Sequence, residues 1–255
     1  MMGWQIFLHS IRQVTGNLQA ALRISGALFL VQLVVSTALG VSLGGDQAAL
    51  EARIQTGNFP FLGFILVIVV AMLTGIWIAV AWHRYVLKLE MPASFIPAFH
   101  GDRMLSYFGN SLLLGVVAIP VALVTSLIAG LIFSGLLGGG MPGPATGIAL
   151  SIIILLPAVV VVYRLSVILP GSALGEKVRL GDAWRKTAGS SGAIILLAGV
   201  SILAAIVIDL PLYVLGPVPL LGFVWGAATA WLKMMVGISI LTTLYGHFVE
   251  GRALV

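Results

Sequence analysis

Long uncharged stretches alternate along the chain with short segments that carry the charged residues. The uncharged stretches run from Arg23 to Asp46, from Arg53 to Arg84, from Arg103 to Arg164, from Lys186 to Asp209, and from Asp209 to Glu250, where only Lys233 interrupts. A helix that spans a membrane needs about 20 mostly apolar residues, so each stretch is long enough for one. The stretch before Arg164 holds two, because the glycines and prolines of residues 138–144 divide it at a tight hairpin loop.

This pattern predicts an all-α fold, a polytopic transmembrane helical bundle in which residues 1–255 form one transmembrane domain. Six spans, arranged as three hairpins, are expected at about 24–43, 61–82, 106–134, 148–169, 189–208 and 226–248. Residues 210–249 leave open one long span or two short ones. One long helix is favoured because no Gly or Pro lies between Gly226 and Gly237, and an interfacial piece after Pro217 and Pro219 would precede it.

The first 23 residues follow a helical rather than a continuous apolar pattern. Polar His9, Arg12, Gln13 and Asn17 fall largely between apolar positions, which are Trp4, Phe7, Ile11, Val14, Leu18 and Leu22. This spacing predicts an interfacial amphipathic helix that leads into the first span. A cleaved signal peptide is the alternative, because the first apolar run ends in the small residues of 36–40. The interfacial helix is favoured because the segment before the apolar run is long.

Composition and charge agree with a lipid surrounding. Of all residues 60% are hydrophobic and 8% are charged, whereas a water-facing surface has about 25–35% charged residues. Cysteine is absent, which excludes disulfides and thiolate sites. With six spans, eleven of the 13 Lys and Arg residues share the side that holds both termini, and that side is therefore predicted to be cytoplasmic: Arg12, Arg23, Arg84, Lys88, Arg103, Arg164, Lys177, Arg179, Arg185, Lys186 and Arg252. We expect these cations to meet anionic lipid headgroups rather than nucleic acid.

The two large loops on that side repeat at a constant offset of 80 residues. The matched pairs are Arg84 with Arg164, Gly101-Asp102 with Gly181-Asp182, and Gly109-Asn110 with Gly189-Ser190. A looser copy at Gly16-Asn17 precedes the first span. The repeat predicts three helical hairpins, each introduced by an amphipathic segment.

The repeated charged residues are candidates for inner-leaflet headgroup contact or for pairing between hairpins. They are Arg84, Arg164, Asp102, Asp182, Arg185 and Lys186. Each Asp follows a Gly and precedes an apolar run, which is typical of a helix N-cap. Each of the two matched Arg residues ends an even-numbered span, where a cation complements the helix dipole. The sharper hypothesis is that each Arg pairs with the Asp of the matching loop.

Rows of small residues mark faces at which membrane helices pack closely. One row in the third span has Ala118, Ala122, Ser126, Gly130 and Ser134, and one in the second has Ala71, Gly75 and Ala79. Packing inside the bundle is the favoured interpretation, and a face for another membrane protein is the alternative. Charged groups within the apolar runs are scarce. Lys233 and Asp209 form a candidate intramembrane polar site, either as a pair or as a headgroup contact, but the favoured interpretation is that Lys233 extends outward and Asp209 lies in the interface. Gln32 is expected to make one interhelical hydrogen bond.

Catalytic motifs give little support to an enzyme. No HExxH, GxSxG, GxGxxG or Walker-type element lies in a suitable context. The four histidines, His9, His83, His100 and His247, fall at predicted cytoplasmic edges, where we expect solvated side chains; a headgroup site is the alternative. We therefore predict neither enzymatic activity nor a cofactor.

Residues 82–88, 163–190 and 244–252 resemble a family of uncharacterised six-pass proteobacterial inner-membrane proteins. They are more distantly similar to the membrane domain fused to some glycerophosphodiester phosphodiesterases. The resemblance implies a bacterial inner-membrane location and no established activity. The catalytic acidic and histidine residues of the fused hydrolase have no counterpart here, so its reaction is not implied.

Taken together, these features predict a non-enzymatic integral inner-membrane protein with both termini in the cytoplasm. We expect an accessory or scaffold subunit that packs against membrane lipids or other integral membrane proteins and binds no nucleic acid. A transporter or lipid-handling protein is the alternative, and a membrane enzyme ranks third.

Overall fold

The computed structural model describes residues 1–40, 56, 60–137, 143–215 and 218–254, and every regular element in these ranges is helical. The helices are α1 Met2–Thr15, α2 Leu18–Ala38, α3 Phe61–Lys88, α4 Gly101–Leu137, α5 Pro144–Leu165, α6 Ile168–Leu174, α7 Leu180–Ala188, α8 Ser191–Asp209, α9 Leu212–Leu215 and α10 Pro219–Phe248. Six segments are long and apolar enough to cross a membrane. The predicted all-α, six-span bundle is thus confirmed. Most of the predicted hairpin loop at 138–144 lies outside the described residues.

Several spans are longer than the predicted apolar cores. The helices α3, α4 and α10 have 28, 37 and 30 residues, which correspond to about 42 to 55 Å at 1.5 Å per residue. A bilayer core is about 30 Å thick, so these helices extend beyond it. Residues 219–248 form one helix, as the sequence favoured, and the short α9 comes before Pro217 rather than after it.

The repeated Gly positions have different structural outcomes. The chain leaves the helix at Gly16-Asn17, between α1 and α2, and at Gly189-Ser190, between α7 and α8. At Gly109-Asn110 the helix continues, so the amphipathic segment and the span of the middle repeat form the single helix α4. In each copy of the repeat an amphipathic segment therefore precedes an apolar one, but only two of the three copies have a break in the helix between them.

The first helix is held by protein contacts on one face. It packs against both α8 and α10, and its buried residues are Gly3, Ile6, Phe7, Ser10 and Val14. A Cβ at Gly3 would clash with the carbonyl oxygen of Ala193 in α8, so glycine allows this close approach. Of the predicted apolar positions, Phe7 and Val14 are buried, whereas Trp4, Leu18 and Leu22 are exposed. Residues 18 and 22 lie on the separate helix α2, because the chain leaves the helix at Gly16-Asn17.

The three predicted hairpins do not pack alike. The pairs α2 with α3 and α4 with α5 lie in extensive contact. In the third pair, α8 and α10 touch each other little, since α1 packs against both and α8 packs equally against α1 and α5. The bundle is therefore completed by α1, which occupies a place between the last two spans.

The predicted cytoplasmic segments meet at one end of the bundle. The Tyr85 hydroxyl donates to Asn17 Oδ1 at 3.0 Å, and Arg252 Nη2 donates to the carbonyl oxygen of Leu87 at 2.9 Å. The Tyr245 hydroxyl donates to the Glu176 carboxylate. We call this the basic end, comprising the α1–α2 turn and residues 89–100, 166–190 and 249–254.

Candidate functional site

A row of polar side chains along α10 forms hydrogen bonds to the neighbouring helices. We call this row the seam; it consists of Trp231, Ser239, Thr242 and Thr243. Trp82 Nε1 of α3 donates to Ser239 Oγ at 2.8 Å, with both side chains buried. From α10 itself, Trp231 Nε1 donates to Ser25 Oγ of α2 at 2.7 Å. Hydrogen bonds between membrane helices contribute about 0.6 kcal/mol each on average, so the seam fixes helix register more than it adds stability.

A second interhelical contact confirms a prediction. Gln32 Nε2 of α2 donates to Thr74 Oγ1 of α3 at 2.6 Å, and Thr74 in turn donates to the carbonyl oxygen of Val70. Gln32 is 7% exposed. This buried amide therefore fixes the register of the first hairpin.

His83 lies at the basic end of the seam and is completely buried. Thr242 Oγ1 donates to the carbonyl oxygen of Ile238, so it accepts from His83 Nδ1, 2.8 Å away. The other ring nitrogen then accepts from the Tyr107 hydroxyl of α4 at 3.3 Å. The prediction of a solvated interfacial histidine was wrong for His83, because three helices close around its ring.

Thr243, the residue after Thr242 in α10, connects the hydrogen bonds around His83 to α1. Thr243 Oγ1 lies 3.0 Å from Ser10 Oγ, and both hydroxyls are buried. Beside them is a half-open cavity of about 180 Å³ between α1, α3, α10 and the C-terminal segment. Its polar lining consists of His9, Gln13, Thr242, Thr243, His247 and Arg252. Two of the four histidines therefore share one cavity, whereas His100 bonds within its own loop, to the carbonyl oxygen of Ala98.

Arg84 stabilises the short helix α6, whose seven residues are all buried. It forms two bonds of 2.7 Å to the Glu90 carboxylate and donates to the carbonyl oxygen of Ala173 at 3.1 Å. Lys88 Nζ donates to the next carbonyl oxygen, that of Leu174, at 3.1 Å. The last carbonyls of α6 have no partner within the helix, so the two cations satisfy them and complement the helix dipole.

The aspartates of the repeated loops pair locally. Asp102 lies 3.0 Å from its neighbour Arg103, and Asp182 pairs with Arg185 on the same short helix. The hydrogen bond from Arg185 lowers the pKa of the Asp182 carboxyl. The structure thus does not show the hypothesised pairing of each Arg with the Asp of its matching loop, because a cation nearer in sequence reaches each carboxylate. Lys186 is exposed, and headgroup contact by these residues stays a prediction.

Arg164 caps a different helix end. Its Nη2 lies 3.3 Å from the carbonyl oxygen of Ala188 at the end of α7, and 3.1 Å from Ser191 Oγ. The guanidinium carbon lies 4.0 Å from the centre of the Trp184 ring, within range of a cation–π interaction. The two matched arginines therefore do similar work, each holding the C-terminal end of a short helix at the basic end.

The predicted small-residue row of α4 is only partly internal. Ala118 and Ala122 are half-buried, but Ser126, Gly130 and Ser134 are exposed. The contact with α5 uses an adjacent row, in which Ala129 is buried and Thr125 Oγ1 donates to the carbonyl oxygen of Ile154 at 3.0 Å.

The row of α3 lies partly inside the bundle. Ala79 is buried, and Ala71 and Gly75 are half-buried. Close approach there is shown by the Gln32 amide nitrogen, which lies 3.5 Å from the carbonyl oxygen of Ala71.

Lys233 and Asp209 form an ion pair between α10 and the end of α8. Lys233 Nζ lies 2.7 Å from both carboxylate oxygens, and the two side chains are 37% and 38% exposed. Trp225 Nε1 donates to the neighbouring carbonyl oxygen of Ile208 at 3.1 Å. The structure thus shows the pair, whereas the sequence favoured an outward-facing Lys233 and a separate interfacial Asp209.

Sequence reasoning missed the polar groups that depend on tertiary contacts, chiefly Tyr107, Ser10 and the adjacent Thr242 and Thr243. Ser10 carried a usable signal, because it is a polar residue within the apolar face of α1. Gln13 lies four residues after His9, and its amide nitrogen is 3.1 Å from His9 Nε2; this i, i+4 spacing could have identified the pair.

No protein-family model, curated protein or solved structure matches the chain. The six apolar helices and the internally paired polar seam define it as a multi-pass helical membrane protein.

Double-mutant cycles test which carboxylate pairs with Arg84. Arg84→Ala and Glu90→Ala should be non-additive by about 0.5 to 1 kcal/mol in the free energy of unfolding, because the two groups share two hydrogen bonds. Arg84→Ala and Asp102→Ala should be additive within about 0.5 kcal/mol. Denaturant titration in mild detergent measures both cycles, and coupling to Asp102 instead of Glu90 would contradict the structure.

Proposed function

We propose that this multi-pass membrane protein is a non-enzymatic accessory or scaffold subunit that binds another integral membrane protein through the outer face of α4. The supporting observation is how little of α4 its own chain covers. In the most apolar 18-residue part of α4, 11% of the residues are buried, whereas 22% to 39% are buried in the corresponding part of each of the other five spans. Its exposed apolar side chains include Val116, Ile119, Leu123, Val124, Leu127, Leu131 and Ile132.

The glycine on this face supports a protein partner rather than lipid alone. A Cβ at Gly130 would meet no atom within 4 Å, so packing inside the bundle does not require glycine there. Glycine within a helix costs about 0.5 to 1 kcal/mol relative to alanine. Ser126 and Ser134 flank it at a spacing of four residues, the spacing at which membrane helices approach each other closely. A neighbouring helix would use the groove that these three residues form.

The non-enzymatic part of the proposal rests on how the polar side chains are used. Three cations donate to carbonyl oxygens at helix C-termini, namely Arg84, Lys88 and Arg164. The buried ring of His83 is hydrogen-bonded to the Tyr107 hydroxyl. These are structural tasks, which favour a scaffold. The alternative, a lipid-handling protein, is favoured by one feature, the cavity beside Gln13.

A variant of Gly130 tests the binding face. Gly130→Leu fills the groove and should reduce the amount of a larger complex, seen on native gels of detergent-extracted membranes, by about tenfold or more, which corresponds to about 1.4 kcal/mol. The matched control is Gly192→Leu in α8, since Gly192 is also exposed and a Cβ there would meet no atom within 4 Å. If Gly130→Leu and the control migrated alike, or the wild-type chain migrated as a monomer, the scaffold proposal would be wrong.

We further propose that the basic end faces the cytoplasm of a bacterial cell and that the membrane is the inner one. Cytoplasmic loops retain Lys and Arg, and eleven of the 13 such residues lie either in the basic end or in the helix turns that adjoin it. The end that holds Asp209 and Tyr213 would then face outward.

Single introduced cysteines test this orientation, because the chain contains none of its own. Lys177→Cys and Tyr213→Cys place one thiol at each end, and both positions are exposed. In right-side-out vesicles a membrane-impermeant maleimide should label the Tyr213→Cys variant at once and the Lys177→Cys variant only after permeabilisation. The reverse pattern would mean that the basic end faces outward.

A further inference from the structure

The cavity beside α1 contains a buried hydrogen-bond acceptor that has no partner in the described residues. Gln13 Nε2 is bonded to His9 Nε2 at 3.1 Å, but Gln13 Oε1 is buried without a hydrogen bond. Leaving such a group unsatisfied costs about 1 to 3 kcal/mol. This oxygen has almost no surface open to water, but Gln13 lines the cavity, so a small rotation of its side chain would bring Oε1 to a donor placed there.

A second acceptor lines the same cavity. His247 Nδ1 lies 3.1 Å from the carbonyl oxygen of Arg252, and a carbonyl oxygen only accepts, so Nδ1 carries the proton. In the neutral ring Nε2 is then an acceptor. The hydroxyls of Thr242 and Thr243 are engaged with His83 and Ser10. The cavity therefore favours a guest that donates hydrogen bonds.

The charged residues around the cavity, and its position along the spans, indicate which other groups the bound molecule carries. The side chain of Arg252, which lines the cavity, is 47% exposed. Glu250 pairs with its Nε, and its Nη1 and Nη2 each donate one hydrogen bond to the carbonyl oxygens of Val86 and Leu87, which leaves one N–H on each for a phosphate. Leu87 and His247, which also line it, are the penultimate residues of α3 and α10, and these helices are longer than the apolar layer is thick. A cavity at their ends is therefore expected at the depth of phospholipid headgroups. At about 180 Å³, it exceeds roughly tenfold the space of about 10–15 Å³ that one water needs.

We propose that this cavity binds a phospholipid headgroup that ends in a hydrogen-bond donor, as ethanolamine and glycerol do. The terminal N–H or O–H groups donate to Gln13 Oε1 and His247 Nε2, and the phosphate lies beside the Arg252 guanidinium. A choline headgroup carries the same phosphate but no donor, so the site discriminates against it.

Lipid retention by the full-length chain tests the proposal. The protein is exchanged into detergent with equal amounts of phosphatidylethanolamine, phosphatidylglycerol and phosphatidylcholine of identical acyl chains, and bound lipid is counted by native mass spectrometry. The two donor-bearing lipids should be retained at least about fivefold over phosphatidylcholine, the factor expected from one hydrogen bond to a buried acceptor. Equal retention of all three lipids would overturn the proposal.

Variants of α1 assign the preference to this cavity. Gln13→Leu should abolish the preference, whereas Gln5→Leu, an exposed position on the same helix, should leave it unchanged. Gln13→Glu retains an acceptor of the same size, so it should keep the preference for phosphatidylethanolamine even if Gln13→Leu fails to fold. An unchanged preference in folded Gln13→Leu, or its loss in Gln13→Glu, would contradict the assignment.

A soluble competitor distinguishes a lipid from a free phosphate ester. O-phosphoethanolamine has the same donor and phosphate but no acyl chains. It should displace bound phosphatidylethanolamine only at concentrations at least about a hundredfold higher, because buried acyl chains add about 0.8 kcal/mol per CH₂. Displacement at equal concentration would show that the guest is a free ester and would overturn the lipid assignment.

Discussion

A membrane gives polar groups no water, so each one within the apolar layer needs a partner inside the protein. This constraint explains the arrangement of α10. Its hydroxyls at Ser239 and Thr242 receive the Trp82 indole and the His83 ring of α3, and its Trp231 reaches Ser25 of α2. The apolar spans could slide past one another with little loss of contact energy, whereas these bonds hold them in one register.

The same constraint shapes the basic end. The helix α6 is short and wholly buried, so its last carbonyls require donors from elsewhere in the chain, and Arg84 and Lys88 supply them. The helix α1 fills the space between two spans and brings Gln13 to a cavity. The basic end is thus densely connected, while the outer face of the far half of α4 remains uncovered. The polar groups of the basic end are therefore bonded mainly within the chain, whereas the outer face of α4 is suited to a partner.

The spans could be predicted because a long apolar run is a local property of the sequence. The burial of His83 could not, since it depends on Thr242 and Tyr107, which are distant in the chain. Periodicity likewise located the small-residue row of α4, but it does not say which side of a helix meets the bundle, and Gly130 faces outward. The Arg–Asp pairing failed for a related reason: an offset in sequence indicates equivalence between repeats rather than contact.

The seven residues of α6 lie in the apolar core, and Arg84 and Lys88 hold its C-terminal end, so α6 should be as firmly buried as a span. Hydrogen exchange of the detergent-solubilised protein, followed by mass spectrometry, measures this directly. The amides of α6 should exchange as slowly as those in the middle of α3 and α10, and much more slowly than those of the exposed short helix α7. Exchange of α6 at the rate of α7 would contradict the account, because it would mean that the basic end opens independently of the bundle.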